Sequence, residues 1–73
     1  MNTVHVIPSS RGGWDVKSGG AKRAYRHFVL KRQAIIVARR VSKNKKAELI
    51  VHNKDGRIAW KDSHGYDPFP PRG

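Results

Sequence analysis

The hydrophobic residues of the chain follow two different periods, which predict strands toward both ends and one helix between them. Apolar and polar residues alternate over Thr3–Ile7 and again over Trp14–Lys17, a pattern typical of half-buried strands. The segment Ser9–Gly13 between these runs is rich in serine and glycine and predicts a hairpin turn. A weaker run, Ala24–Phe28, predicts a third strand.

The segment from Lys31 to Asn44 has a helical period. Apolar residues recur there at spacings of three and four and therefore share one face of the predicted helix. They are Leu30, Ala34, Val37, Ala38 and Val41. We expect this face to be buried against a sheet. No capping side chain precedes Lys31, and Asn44 is the expected left-handed stop.

Two further strands are predicted after the helix. Glu48–His52 alternates, Asn53–Gly56 is a tight turn in which Gly56 takes a positive φ, and Arg57–Lys61 returns. The predicted fold is therefore α+β: a small antiparallel sheet of four or five strands in the order β-β-(β)-α-β-β, with one helix packed on one face. The expected partners of the helix are Val4, Val6, Trp14, Val16, Leu49, Val51 and Ile58.

The length predicts a single small domain, residues 1–73, in which residues 62–73 form a proline-rich C-terminal segment. Tyr66 or Phe69 of this segment is expected to pack on the sheet or on the second hairpin. The N-terminus does not resemble a signal peptide, and no apolar run approaches the ~20 residues that span a bilayer. The chain lacks cysteine, so disulfides and thiolate metal ligands are excluded. We expect a soluble, cytoplasmic protein without membrane association.

The charge narrows the classes of partner. Sixteen Lys and Arg against five Asp and Glu give a formal charge of +11, which attracts polyanions. The outer side of the predicted helix forms a basic ridge with an isoleucine within it: Arg32, Ile36, Arg39, Arg40 and Lys43. A second basic surface is expected on the outer sheet face and its loops, from Lys17, Arg23 and Arg26. Tyr25 is the expected exposed aromatic there, available to stack on a base.

Two motifs, GWxVKxxGAxRA at residues 13–24 and ELxVHxxDGRIxxKDSxGxDPxPP at residues 48–71, resemble a family of small bacterial proteins known only as a domain of unknown function. The resemblance covers nearly the whole chain. It implies a compact α+β module that includes the C-terminal segment, and it implies no activity. Similar sequences usually open the helix with a Thr or Ser cap and a Glu, whereas this chain reads Leu30-Lys31-Arg32-Gln33. The strong positive charge therefore belongs to this member.

Catalysis is the weakest functional class for this chain. The histidines lie in separate predicted elements without the spacing of a metal motif, and the few acidic residues are not paired for acid–base work. Asp62, Ser63 and His64 are adjacent and are expected to make turn hydrogen bonds rather than a catalytic triad. We therefore predict no enzyme activity, no metal site and no cofactor.

Two functions remain open. The first is binding of DNA or RNA through phosphate contacts, by either the helix ridge or the sheet face. The second is a protein-interaction module or homodimer that uses Ile36 and a sheet edge. Trp14 and Trp60 are expected in the core, but either one, if exposed among cations, would offer a stacking platform.

Overall fold

The structure is a computed structural model, and it describes residues 2–63 except for the Ser63 side chain. It contains six elements: β1 (Thr3–Pro8), β2 (Trp14–Ser18), β3 (Arg26–Phe28), α1 (Lys31–Lys45), β4 (Glu48–His52) and β5 (Ile58–Ser63). The α+β class and the β-β-β-α-β-β order predicted from the sequence are confirmed. The prediction for Tyr66 and Phe69 lies outside the described residues.

The strands form one five-stranded sheet in the order β3-β2-β1-β4-β5. Neighbouring strands are antiparallel except for β1 and β4, which are parallel. The predicted all-antiparallel sheet is therefore corrected at its centre. Because the chain reverses twice between β1 and β3, those two strands run in the same direction. The helix then carries the chain back across one face of the sheet, so β4 runs parallel to β1, as such crossovers require.

The helix packs on the sheet face formed by alternate residues of the inner strands. The fully buried core comprises Val4, Val6, Val16, Ala34, Ala38, Ala47, Leu49 and Val51. Trp14, Phe28, Ile35 and Val41 are partly buried against it. The two small alanines of the helix let its axis approach the sheet closely, which suits a chain too short to fill a thick core.

Three residues expected in the core are exposed: Leu30, Ile58 and Trp60, of which Trp60 is 38% exposed on the edge strand β5. Leu30 is 44% exposed because it occupies the N-cap position, with φ −103° and ψ 139°, before the helical turn begins. Ile58 is 52% exposed. The register between β4 and β5 shifts between Val51 and His52, so the end of β5 that contains Ile58 does not continue the inward–outward alternation of the rest of the strand. The local period of a strand does not reveal such a bulge, which adds a residue to one strand only.

The helix extends one residue beyond the predicted end and stops at Lys46, not at Asn44. Lys46 adopts the left-handed conformation (φ 54°, ψ 46°), and its N–H contacts the carbonyls of Ser42 and Lys43. The N–H of Ala47 also donates to Ser42, at 2.8 Å. These contacts satisfy carbonyls that the helix end would otherwise leave unpaired.

Lys46→Gly is expected to stabilise the domain by about 0.5–1 kcal/mol, because glycine adopts the left-handed conformation without the steric cost that a Cβ imposes. Chemical denaturation measures this change. Lys46→Ala is the matched control, since it removes the same charge and keeps the Cβ. Equal stability of the two variants would contradict the explanation.

The helix leaves the second face of the sheet uncovered by any described helix or strand. This helix-free face carries the side chains that alternate with the core residues, including His5, Lys17 and His52. The described helix has fifteen residues and is neither long nor apolar enough to span a membrane.

Candidate nucleic-acid interface

The outer side of α1 presents the predicted basic ridge. Arg32, Arg39, Arg40 and Lys43 are all exposed, and Ile36 between them is 62% exposed. Arg32 and Lys43 are separated by about 16 Å along the helix axis. The sheet holds the opposite side of the same helix through Ala34 and Ala38, so the ridge is displayed on a rigid element.

The helix that carries this ridge supplies no carboxylate to neutralise it. The helix contains no acidic residue, and its first turn lacks even a capping hydrogen bond from a side chain. Two ion pairs of the described strands and turns, His27 with Asp15 and Arg57 with Asp55, do not involve the helix. The positive end of the helix dipole therefore adds to the charge of Lys31 and Arg32. Such an arrangement attracts anions and costs stability through self-repulsion.

Aromatic rings border the helix and contact two of its cations. The ammonium nitrogen of Lys31 lies 4.6 Å from the centroid of the Trp14 ring. The guanidinium carbon of Arg39 lies 5.9 Å from the centroid of the Trp60 ring. Trp60 lies on β5, and 38% of it is exposed. Trp14 is half-buried and packs on the core, as predicted. Trp60 is more exposed than a core residue and lies beside the basic ridge.

The second predicted surface is not assembled as one patch. Lys17 lies on the helix-free face, opposite His5 in the adjacent strand. Arg26 pairs with Val16 and therefore lies on the helix side, with its guanidinium 5.2 Å from the Phe28 ring. Arg23 and Tyr25 belong to the segment between β2 and β3. Tyr25 is 59% exposed, as expected. The helix ridge is thus the candidate surface whose cations share one element.

A histidine pair on the helix-free face was missed by the sequence reasoning. His5 Nδ1 lies 3.0 Å from His52 Nε2, and the two rings are stacked with centroids 5.2 Å apart. His5 Nε2 also contacts the Thr3 hydroxyl at 3.1 Å, and His52 Nδ1 contacts the Gly56 carbonyl at 3.0 Å. Strand alternation places both histidines on the side of the sheet away from the core. Their meeting depends on the parallel pairing of β1 with β4, which no local pattern shows.

The environment of the pair holds the pKa of His5 below its usual value of 6.5. Burial is the largest cause, followed by the nearby charges of His52 and Lys17, while Glu48 acts in the opposite direction. The remaining described histidine, His27, instead receives a carboxylate partner, with its Nδ1 2.7 Å from Asp15.

This lowered pKa predicts a loss of stability as the pH falls. The unfolded chain takes up a proton at His5 near pH 6.5, before the folded domain does, so the free energy of unfolding should decrease from about pH 7 downward. The loss should be complete below the folded pKa. Urea midpoints measured between pH 7.5 and 5.5 test this, and His5→Gln should flatten the dependence. Equal slopes in wild type and His5→Gln would contradict the assignment.

No group of three or more His, Cys, Asp or Glu side chains within residues 2–63 is arranged to hold a metal ion. The histidine pair supplies two imidazoles whose ring nitrogens already have hydrogen-bond partners.

Comparison with known proteins places the chain among bacterial proteins without an assigned role. It is 35% identical over 65 residues to the uncharacterized protein YdaT of Bacillus subtilis (strain 168), which covers 89% of this chain and 43% of that protein. The chain thus spans less than half the length of this relative. No solved structure matches it. Residues 4–64 match the family described as an uncharacterized protein conserved in bacteria, DUF2188. The resemblance drawn from the two sequence motifs is confirmed, and the chain belongs to the DUF2188 family.

Proposed function

We propose that this protein binds DNA or RNA without catalysis, mainly through phosphate contacts made by the outer side of α1. The observation that carries the proposal is the ridge of four exposed cations on a helix that contains no acidic residue. The cations are Arg32, Arg39, Arg40 and Lys43. Long Lys and Arg side chains on one rigid helix suit a regular array of phosphates, because each phosphate contact releases a condensed counterion.

The dimensions of the ridge support this ligand. An α-helix fits the major groove of B-DNA, which is about 12 Å wide, and the cations of a docked helix reach phosphates on both sides. Ile36 in the middle of the ridge offers an apolar contact but no hydrogen bond. We therefore expect little discrimination between base sequences, since phosphate contacts position a protein and base-edge contacts specify the site.

The partly exposed Trp60 extends the proposed interface beyond phosphate. Its ring lies beside Arg39 at the border of the helix. A base that left its stack could contact this ring, and base–aromatic stacking contributes about 1–3 kcal/mol per base. This contact would favour single-stranded over duplex ligands. We propose that the protein is cytoplasmic, because the DNA and RNA of a bacterial cell are located in the cytoplasm.

Purification without nuclease tests the proposal. The protein expressed in bacteria and purified at low salt should carry nucleic acid, seen as a raised ratio of absorbance at 260 to 280 nm and identified by DNase and RNase digestion. A wash at high salt should remove it, because the contacts are electrostatic. A preparation free of nucleic acid at low salt would count against the proposal.

The second candidate function is a protein-interaction module, and the exposure of Ile36 favours it. An isoleucine in the middle of an exposed helix face is an anchor of the kind that protein interfaces bury. Ile36→Ser should then weaken self-association or partner binding, with little dependence on salt. A homodimer through this ridge would bring the same cations together, so an acidic partner fits the charge better than a second copy.

A further inference from the structure

The hydrogen bonds of the helix-free face run in one direction. The Gly56 carbonyl can only accept, so His52 Nδ1 carries a hydrogen. A neutral His52 then accepts at Nε2, and His5 Nδ1 donates to it. A neutral His5 in turn accepts at Nε2 from the Thr3 hydroxyl. With both imidazoles neutral, every polar hydrogen in this series of side-chain hydrogen bonds is directed at a partner within the series, and none is offered to a ligand.

One additional proton reverses the direction of two of these hydrogen bonds and keeps all three contacts. If His52 holds hydrogens on both ring nitrogens, it donates to the Gly56 carbonyl and to His5 Nδ1. His5 then donates from Nε2 to the Thr3 oxygen, and the Thr3 hydroxyl hydrogen is released toward a new acceptor. A second proton would direct two N–H groups at each other. The pair therefore accepts one positive charge and uncovers one hydrogen-bond donor when it does so.

A shallow depression of about 380 Å³ lies against this pair. Its lining includes His5, His52, Lys17 and the backbone of the Gly19–Ala21 turn, and none of the described residues that line it is acidic. The backbone at Gly19 approaches Thr3 so closely that a Cβ there would collide with the Thr3 hydroxyl. The Thr3 hydroxyl thus borders the glycine turn that forms one side of the depression.

We propose that this depression binds a phosphate group, and that it does so when the His5–His52 pair has gained one additional proton and carries a single positive charge. Lys17 supplies the permanent charge and the pair supplies the second charge. The released Thr3 hydroxyl, which lies beside Gly19 and outside the lining itself, adds a donor at the edge of the depression. The site lies on the opposite side of the sheet from α1, so it goes beyond the proposed function of the helix ridge.

The charged groups around the pair determine how readily it takes up a proton and how strongly the depression attracts an anion. From β2, Lys17 disfavours the proton and attracts the anion. From β4, Glu48 favours the proton on His5 and lies opposite Thr3, outside the described lining of the depression. From β5, Lys61 lies in the same cross-strand row, beyond Ile50. A bound phosphate offsets the charge repulsion between Lys17 and the protonated pair. Phosphate binding and protonation of the pair should therefore favour each other.

Sulfate is the first probe, because it mimics phosphate and keeps the same charge from pH 5 to 8. Sulfate titrated into the 73-residue chain, with NMR detection of imidazole and backbone signals, should perturb His5, His52 and Lys17. Its affinity should tighten by at least about tenfold from pH 7.5 to 5.5, and by no more than about tenfold per pH unit, since one proton is linked. A pH-independent affinity, or shifts confined to the helix ridge, would overturn the proposal.

Matched variants separate the roles of the groups. His52→Gln should remove the pH dependence, and Lys17→Gln should weaken sulfate binding at every pH. His27→Gln is the control, because His27 lies on the same sheet but pairs with Asp15 outside the depression. Loss of pH dependence in the His27 variant would overturn the proposal. The titration of wild-type protein decides the question even if a variant does not fold.

A second probe identifies the source of the phosphate group. If an eight-nucleotide oligothymidine perturbs the pair as sulfate does, the natural ligand is a nucleic-acid phosphate. If only sulfate does, the ligand is a free phosphate or phosphate monoester; either outcome supports the site. The Arg39→Ala/Arg40→Ala variant should retain the sulfate response, so a failure of the helix ridge to bind nucleic acid leaves this test intact.

Discussion

Ala38→Asp is expected to unfold the domain at neutral pH. Ala38 is fully buried (0% exposed) where α1 meets the sheet, within a cluster of aliphatic and aromatic side chains. The buried Ser42, one turn along the helix, already donates its hydroxyl hydrogen to the Arg39 carbonyl. An aspartate there would place a carboxyl group among these side chains without a partner, at a cost of several kcal/mol. A small domain has only about 5–15 kcal/mol of total stability, and this one also carries the repulsion of its excess positive charge.

Ile36→Asp is the matched control, because it adds the same negative charge to the same helix. Ile36 is 62% exposed, and an aspartate there lies four residues from both Arg32 and Arg40. Its effect should stay within about 0.5 kcal/mol and could be stabilising. Circular dichroism and thermal melting measure both variants. An Ala38→Asp protein that melted like wild type would show that the helix is packed by a different face.

The second large effect is expected on nucleic-acid binding. Arg39→Ala/Arg40→Ala removes two of the four ridge cations, so the slope of log K against log[salt] should flatten from about −3.6 to about −1.8 on duplex DNA. At low salt the variant should bind random and natural sequences more weakly by the same factor, since phosphate contacts carry no sequence information. Fluorescence anisotropy at several salt concentrations measures the slope.

The control for this variant removes the same charge elsewhere. Arg11 and Lys54 are exposed residues of the two turns, away from α1. Arg11→Ala/Lys54→Ala should leave the slope nearly unchanged. Equal flattening in both double variants would show that net charge, and not the ridge, governs binding. Loss of the Arg39 contact with Trp60 should cost the fold about 0.5–1 kcal/mol, and a melting curve checks that the variant is folded.

The sequence predicted the elements of the fold because each has a local period. Ala34 and Ala38 recur at helical spacing and are buried, and Val4 and Val6 alternate and are buried. The ridge on the outer side of α1 followed from the same helical projection. These parts required no knowledge of which strands pair, since the periods of 3.6 and 2 residues are properties of single elements.

The parts that were missed depend on contacts between distant segments. The parallel pairing of β1 with β4 joins residues more than forty positions apart, such as Val4 with Leu49. The hydrogen bond between His5 and His52 follows from that pairing. The helix ended at Lys46 because hydrogen bonds to Ser42 and Lys43 hold it in a conformation unusual for lysine. Composition favoured Asn44 for that role but did not decide it.

We propose that the ridge of α1 binds the phosphates of a nucleic acid. The most direct test of this proposal is the affinity of the wild-type protein for a random-sequence duplex as a function of salt. If each of the four cations neutralises one phosphate, the slope should be about −3.6, which corresponds to a loss of about 150-fold in affinity between 50 and 200 mM salt. Absence of binding to DNA and RNA at 50 mM salt, or an affinity that does not change with salt, would contradict the claim.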